Sequence, residues 1–313
     1  MVGLRLFLPE EWSSDVERCA QAGVPDACMV PKTKGQIALD ELDRVQAAGA
    51  RFGTVLADAG YGASAAFRHG LGERGLAWAV GIPRNQKVYA SDVQLVPPGG
   101  RARKLVPDQE PQAAEDVLAT RPWRRVTWRE GTKGMLAARF AAVRIRVADG
   151  AVWNNNRHLP GKGRAAKRTD GLVGEWRSTG ERKFYLSNLP PRTSLRALAA
   201  AIKARWVCEQ AHQQLKGELG LGHFEGRSWT GLHRHALMTC IAFAYLQHLR
   251  LAGQSLARSG ENAAPQTGTT TATQPARHPS RHHRQAVRSP DAARSMPTLQ
   301  ETVQLPHDPK VPR

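Results

Sequence analysis

The chain has 313 residues and a formal net charge of +18, and its sequence pI is near 10.6. This excess of positive charge favours a polyanionic partner such as nucleic acid, although basic proteins are also attracted to membrane surfaces. No apolar run approaches the ~20 residues of a membrane-spanning helix, and Pro9-Glu10-Glu11 lies where a signal peptide needs its apolar segment. The four cysteines show no CxxC spacing, so neither a disulfide framework nor a zinc ribbon is indicated. We therefore expect a cytoplasmic, nucleoid-associated protein that does not act in a membrane.

The first informative segment is Thr54–Ala57, a short apolar run that ends at Asp58 and two nearby glycines. It predicts a buried strand that enters a tight turn. A helix over Ala63–Arg74 and a second buried strand over Leu76–Ile82 follow. Asp58 then lies at the carboxyl end of a strand, where ligands and metals collect in open α/β sheets. The alternative is that Asp58 only caps the next helix or shapes the turn.

The middle of the chain, residues 88–190, is rich in strand patterns. Trp176 is a candidate for stacking on an unpaired DNA base, and packing in the core is the alternative. A basic loop over Asn154–Arg168 either contacts the DNA backbone or is only solvated. The predicted strands, of which the last two form a hairpin, are Trp123–Trp128, Phe140–Val147, Gly171–Arg177 and Arg182–Ser187.

A helix that begins at Ser194 and continues to about Leu219 carries the most distinctive pattern of the chain. At about 100° per residue, its four polar candidates fall within roughly 60° of arc, about 90° from an apolar stripe. This face presents a carboxylate between cations, and the alternative is a solvated face with an ordinary i,i+4 ion pair. The four side chains are Arg205, Glu209, His212 and Lys216.

A second apolar helix is predicted from about Leu232 to Leu251. After Gly253 the composition changes to Pro, Ser, Thr, Gln, Arg and His without a helical or strand period, so residues 254–313 are expected to be disordered.

The strand-end Asp58, the helix-borne Glu209 and the spacing from Arg205 to Lys216 together resemble the DDE transposases of bacterial insertion sequences. They are most similar to the branch with a Tyr-Arg-Glu-Lys signature around its last carboxylate. The resemblance covers roughly residues 4–250, and Leu219–Trp229 is also similar to the family. It implies an α/β fold with a ribonuclease-H-like mixed sheet and a β-rich insertion between the second Asp and the Glu. Glu209 lies 151 residues after Asp58, which leaves room for that insertion.

The resemblance implies DNA transposition by metal-dependent phosphodiester cleavage and strand transfer. Asp58 and Glu209 would be catalytic and would bind Mg²⁺ or Mn²⁺, since two hard ions about 4 Å apart can activate the nucleophile and stabilise the leaving oxygen. The partner would be double-stranded DNA at the element ends and the target, and a homodimer is left open. The implied DNA contacts are Arg205, Lys216, Tyr61, His212 and Trp176.

The chain departs from the family pattern at two positions. The signature Tyr would fall at Ile202. The first catalytic Asp should lie on a strand upstream of a strand predicted over Leu4–Leu8, and only three residues precede that segment. None of the nearby carboxylates ends an apolar strand, and Asp40 and Asp43 lie in a helical pattern over Gln36–Ala48. The other two are Asp15 and Asp26.

We therefore expect a chain that begins after the first catalytic Asp and shows little or no Mg²⁺-dependent cleavage by itself. The predicted organisation is a partial catalytic core (1–87), a β-rich insertion (88–190), catalytic-core helices (191–252) and a disordered tail (253–313). A transposase that lacks one carboxylate is the favoured function. The alternative is a catalytically inactive remnant that only binds DNA.

Overall fold

A computed structural model describes residues 3–97, 106–131, 134–149 and 170–261, although not the side chains of Leu95 and of 254–261. Its strands are β1 (Val55–Ala57), β2 (Trp78–Ile82), β3 (Lys87–Ala90), β4 (Leu95–Val96), β5 (Val106–Pro107), β6 (Gln112–Ala113), β7 (Arg124–Gly131), β8 (Gly134–Val147), β9 (Asp170–Trp176) and β10 (Arg182–Ser187).

The helices of the described residues divide into seven before the long strands and three after them. The first seven are α1 (Glu10–Ser13), α2 (Val16–Ala22), α3 (Asp26–Met29), α4 (Lys34–Ala47), α5 (Ala59–Gly62), α6 (Ala65–Glu73) and α7 (Ala114–Ala119). The last three are α8 (Leu195–Ala204), α9 (Trp206–Gln213) and α10 (Trp229–Glu261), with a π-helical turn at Gln214–Glu218 between α9 and α10. None of the described helices is both long and apolar enough to cross a membrane.

One mixed sheet organises the described residues. Its strand order is β1-β2-β10-β9-β8-β3-β6, and β7 pairs with β8 at the side of this path. Only β1 and β2 are parallel, because a helical crossover joins them, whereas hairpins join β7 to β8 and β9 to β10. The remaining two strands, β4 and β5, form a separate ribbon. The expected α/β class with a mixed sheet is confirmed.

Apolar side chains cover both faces of this sheet. On one face, which we call the α6 face, Phe67 and Leu71 of α6 and Leu118 of α7 pack against alternate strand residues. On the other, the α8 face, Ala199 and Ile202 of α8 pack against the intervening residues of the same strands. Successive side chains of a strand point to opposite faces, so two cores share each strand. β2 is buried along its whole length.

Most predicted elements are present. The hairpin of β9 and β10 and the strands β7 and β8 lie where the alternation pattern places them. The predicted insertion is continuous with the core sheet, because β10 pairs with β2 and the 87/88 boundary falls inside β3.

Three predictions about individual elements were wrong. Leu4–Leu8 forms no strand and instead lies along α4, where Arg5 pairs with Asp40 at 3.3 Å. The helix predicted from Ser194 to Leu219 is interrupted at Arg205 and changes to a π-helical turn at Gln214. The last helix continues to Glu261 instead of ending near Gly253, and the rest of the predicted tail lies outside the described residues, as does the loop Asn154–Arg168.

The turn after β1 is held closely against β2. Gly62 ends α5 so near to the sheet that an added Cβ would lie 2.0 Å from the carbonyl oxygen of Gly81 and 2.8 Å from Cγ2 of Val80. Arg68 of α6 is buried, donates to the carbonyl of Gly62 and pairs with Asp149 just after β8. The segment that carries Asp58 is thus fixed from both sides.

The substitution Gly62→Ala tests this close approach. The new methyl group would displace the backbone of α5 from β2, and overpacking of this kind costs about 2 kcal/mol or more. Urea unfolding should show that loss of stability. The matched control is Gly53→Ala, where nothing lies within 4 Å of the added Cβ and φ is not positive, so stability should stay the same or rise slightly. Equal effects of the two substitutions would contradict the packing argument.

Candidate functional site

Asp58 lies directly after β1, as its strand-end position predicts. Its backbone is extended (φ −82°, ψ −176°), so the alternation of β1 continues and places its side chain on the α8 face together with Leu56. Oδ1 accepts hydrogen bonds from the backbone N–H of Gly60 at 2.9 Å and of Tyr61 at 3.3 Å. The capping role is therefore real, and the carboxylate is exposed while it caps α5.

A row of paired residues leads from Asp58 towards Arg205. Ala57 pairs with Val80, so Asp58 follows beside Gly81, and Gly81 pairs with Tyr185 on the next strand. Burial raises the pKa of the Tyr185 hydroxyl far above its ordinary value. That hydroxyl and Lys203 Nζ both bind Glu175, and Lys203 lies two residues before Arg205, so the end of α8 lies over this part of the sheet. Since strands are spaced by about 4.8 Å, Asp58 and Tyr185 are separated by roughly 10 Å on the α8 face.

Glu209 follows Arg205 by one helical turn. α8 ends at Ala204 and α9 begins at Trp206, so Arg205 is the junction between the two helices. Its guanidinium pairs with Oε1 of Glu209, and the Glu209 side chain is 54% exposed. The i,i+4 ion pair that the alternative interpretation of this helix face predicts is therefore present. It holds the carboxylate beside the arginine that joins α8 to α9.

The other two of the four polar candidates, His212 and Lys216, are less regularly placed. Lys216 lies in the π-helical turn, where buried Leu215 docks the segment, so the angle of 100° per residue does not apply between Glu209 and Lys216. Desolvation by the surrounding protein and the charge of Lys216 lower the pKa of His212 below its ordinary value of 6.5. At pH 7 the neutral form of His212 therefore predominates, and its ring forms hydrogen bonds without carrying a charge.

A buried carboxylate that the sequence analysis missed fixes this region to the sheet. Glu175 of β9 is 1% exposed and accepts hydrogen bonds from Lys203 Nζ at 2.7 Å, from the Tyr185 hydroxyl at 2.8 Å and from Arg177 Nε at 3.0 Å. Burial by itself would raise the pKa of Glu175, but these partners outweigh it and lower the pKa below its ordinary value. Lys203 precedes Arg205 by two residues, so the cluster holds the end of α8. The available signal was a charged residue within an otherwise apolar strand.

Two further candidates lie on the α6 side. Tyr61 packs against Phe67 with ring centroids 5.5 Å apart, and burial and the Asp58 charge raise the pKa of its hydroxyl. It lines a groove with Arg5 and Lys34. Trp176 alternates with Glu175 along β9 and so points to the face opposite Asp58. The structure therefore brings Tyr61 near Asp58 but does not bring Trp176 there.

The carboxylates considered as substitutes for a third ligand have structural partners or caps. Asp40 pairs with Arg5 and Lys32, and Asp43 pairs with Arg74 at 2.6 Å. Asp15 caps α2, and Asp26 lies in the first turn of α3. Within the described part of the chain, no group of three His, Cys, Asp or Glu side chains is arranged to hold a metal ion.

The two principal carboxylates nevertheless have the chemistry that a hard divalent cation needs. In each of Asp58 and Glu209, the described protein contacts involve only one of the two oxygens. The other oxygen is exposed to ligands, and Mg²⁺ binds through one or two carboxylates while it keeps several waters. The residues present fit part of a coordination shell.

The family model described as DDE superfamily endonuclease matches residues 1–135. This match contains α1–α7 and β1–β7, and with them the strand-end Asp58. The match supports the assignment of this segment to the DDE superfamily of endonucleases, in agreement with the resemblance of the sequence motifs. No curated protein matches the chain.

The Glu175 cluster gives a pH-dependent prediction. Its folded pKa lies below the ordinary value of 4.5, so its stabilisation is fully present above pH 4.5 and is lost as the pH falls through the folded pKa. Glu175→Gln should cost about 2 kcal/mol at neutral pH, since hydrogen bonds to a charged group are worth about that much. In urea unfolding, the difference from the unsubstituted protein should shrink below pH 4.5. Glu181→Gln, at the exposed partner of Arg177, should cost less than about 1 kcal/mol at any pH.

Proposed function

We propose that this protein is a DDE endonuclease that acts in DNA transposition, by metal-dependent phosphodiester cleavage and strand transfer on double-stranded DNA. The observation that supports it most is the shared face of the sheet, on which Asp58 lies about two strand spacings from Tyr185. The helix α8, which leads to Arg205, packs against the same face. Carboxylates and a guanidinium on one side of a basic protein suit a phosphodiester and its ions. The homodimer, the nucleoid location and the division into core and insertion stay part of this proposal.

Asp58 and Glu209 are the residues that would hold Mg²⁺ or Mn²⁺. When bound, such ions activate the attacking water or 3′ hydroxyl and stabilise the leaving oxygen. Asp58 is held by the clamp of Gly62 and Arg68, and Glu209 is held through Arg205 and the Glu175 cluster. The chain itself thus restrains both carboxylates.

Arg205 and Lys216 would bind phosphate oxygens on either side of Glu209. A guanidinium binds phosphate through two parallel hydrogen bonds, whereas an ammonium acts as a point charge. Neutral His212 and the hydroxyl of Tyr61 would add hydrogen bonds to the DNA backbone. In this arrangement the cationic side chains position the DNA strand, and the carboxylates hold the metal ions.

The second candidate function is DNA binding without catalysis. It is favoured by one observation, that the described residues contain no cluster of three potential metal ligands. Both functions require the basic surface, and only the first requires ions at Asp58 and Glu209. Metal binding in the presence of DNA therefore separates them.

The metal-binding prediction uses Mn²⁺, which electron paramagnetic resonance detects directly. In the presence of duplex DNA, Asp58→Asn and Glu209→Gln should each weaken Mn²⁺ binding at least about tenfold, since even indirect supports of metal ligands are worth that much. Asn can still accept the hydrogen bonds from Gly60 and Tyr61, so the turn should stay folded. Any Mg²⁺-dependent nicking of the DNA should disappear in both variants.

The matched controls for this experiment are Glu218→Gln and Asp26→Asn, two exposed carboxylates outside the proposed site. Both should bind Mn²⁺ like the unsubstituted protein. Unchanged Mn²⁺ binding in Asp58→Asn and Glu209→Gln would remove the catalytic proposal and leave the DNA-binding function.

The DNA-binding prediction concerns the dependence on salt. The logarithm of the affinity for duplex DNA should fall linearly with the logarithm of the salt concentration, with a slope of about −0.9 per phosphate contact. Replacing both Arg205 and Lys216 by Gln should make that slope shallower by about two units, as fluorescence anisotropy can measure. The control is Arg51→Gln with Arg192→Gln, which removes the same charge from exposed loops before β1 and before α8. A slope change no larger than that of the control would exclude these phosphate contacts.

A further inference from the structure

A row of exposed arginines crosses the α6 face of the sheet. Arg125 of β7 pairs with Arg139 of β8, Arg139 pairs with Trp176 of β9, and Trp176 pairs with Arg182 of β10. Residues directly opposite each other on neighbouring strands share a face. The four side chains therefore form one line across four strands, which we call the arginine row.

The row lies on the side of the sheet away from Asp58. Val126, Phe140 and Glu175, which alternate with members of the row, all point to the α8 face. Asp58 and Tyr185 share that α8 face, whereas Phe184, next to Tyr185, belongs to the α6 core. The arginine row is thus separate from the proposed catalytic surface.

The positive charges of the row are not neutralised by the described protein. Arg125, Arg139 and Arg182 are exposed, and none of them has an ion pair with any carboxylate in the described ranges. Glu181, the neighbour of Arg182, pairs instead with Arg177 and Lys183. Like charges directly opposite each other destabilise a sheet, as at Arg125 and Arg139. An external anion would relieve that repulsion.

The ring of Trp176 contacts two arginines of the row and is therefore not free to stack on a base. The guanidinium of Arg182 lies 4.4 Å from its ring centroid and that of Arg139 lies 5.6 Å away. Trp123 supports the same ring edge-on, at 5.8 Å, and also faces Arg182. Cation–π contact of this kind holds the guanidinium groups in place. Base stacking on Trp176 would require the displacement of Arg182.

We propose that the arginine row is a second DNA-binding surface, which holds the phosphate backbone of a duplex on the face opposite the catalytic carboxylates. Three strand spacings make it about 14 Å long, close to the axial length of four nucleotides at about 3.4 Å each. Guanidinium groups bind phosphate in a bidentate manner, and their spacing across the strands lets them bind separate phosphates of one DNA strand. Contacts to phosphate carry no sequence information, so this surface binds DNA of any sequence.

This proposal deepens the proposed function, because it adds a second duplex contact to a DNA-cleaving protein, but its test does not involve metal or cleavage. The triple variant Arg125→Gln, Arg139→Gln and Arg182→Gln is compared with the control Arg51→Gln, Arg192→Gln and Arg234→Gln, which removes the same charge from scattered exposed positions. Binding to a short fluorescent duplex of arbitrary sequence is measured over a range of salt concentrations.

The triple variant should make the log–log salt slope shallower by about two to three units, whereas the control should change it by less than one. Replacing the same three arginines by Lys should restore most of the slope, because the charges return. Circular dichroism should show that all variants are folded, since the three side chains are exposed. Unchanged Mn²⁺ binding by the triple variant should confirm that the site of Asp58 is intact.

A slope in the triple variant equal to that of the control would overturn the proposal and would fit an acidic protein as the partner of the row. That result would leave the proposed function in place. If the unsubstituted protein bound no duplex at all, the proposed function and the arginine row would both fail.

Discussion

The pairing of β2 with β1 on one side and β10 on the other is the constraint on which the rest of the molecule depends. β2 is fully buried, both cores pack against it, and its parallel partner ends at Asp58. Its antiparallel partner carries Tyr185, which connects the sheet to Glu175 and Arg205. A shift of β2 by one residue would exchange its faces and separate the two halves of the proposed site. The close contact of Gly62 with Gly81 opposes such a shift at the end of β2 that lies beside Asp58.

The sequence predicted an element well where the local pattern of apolar and polar residues alone decides whether that element forms. The alternation in β7 to β10 and the apolar runs of β1 and β2 require only local information, and these strands are present. Leu4–Leu8 has the same kind of pattern, but the described residues supply it with no pairing strand, and it lies along α4 instead. A strand needs hydrogen-bonding partners that an apolar pattern alone cannot provide.

In the candidate site, too, the features that short sequence spacings determine were predicted, and those that depend on contacts between distant residues were not. Asp58 at a strand end and the ion pair of Arg205 with Glu209 follow from short spacings, and the structure contains both. The role of Glu175 depends on Lys203, which lies 28 residues away, and on the return of β10 beside β9. The separation of Trp176 from Asp58 likewise depends on which strands are neighbours. Such information appears only once the order of strands in the sheet is known.

The π-helical turn at Gln214–Glu218 affects how the Arg205 to Lys216 pattern is read in other chains. A π turn contains more residues than an α turn, so the seven positions from Glu209 to Lys216 do not amount to two regular turns. A motif search with fixed spacing measures distance along the chain and is insensitive to the direction of the lysine. Two relatives with identical letters at these positions can therefore present different surfaces, and one with a single residue deleted here can present the same surface while it fails the motif.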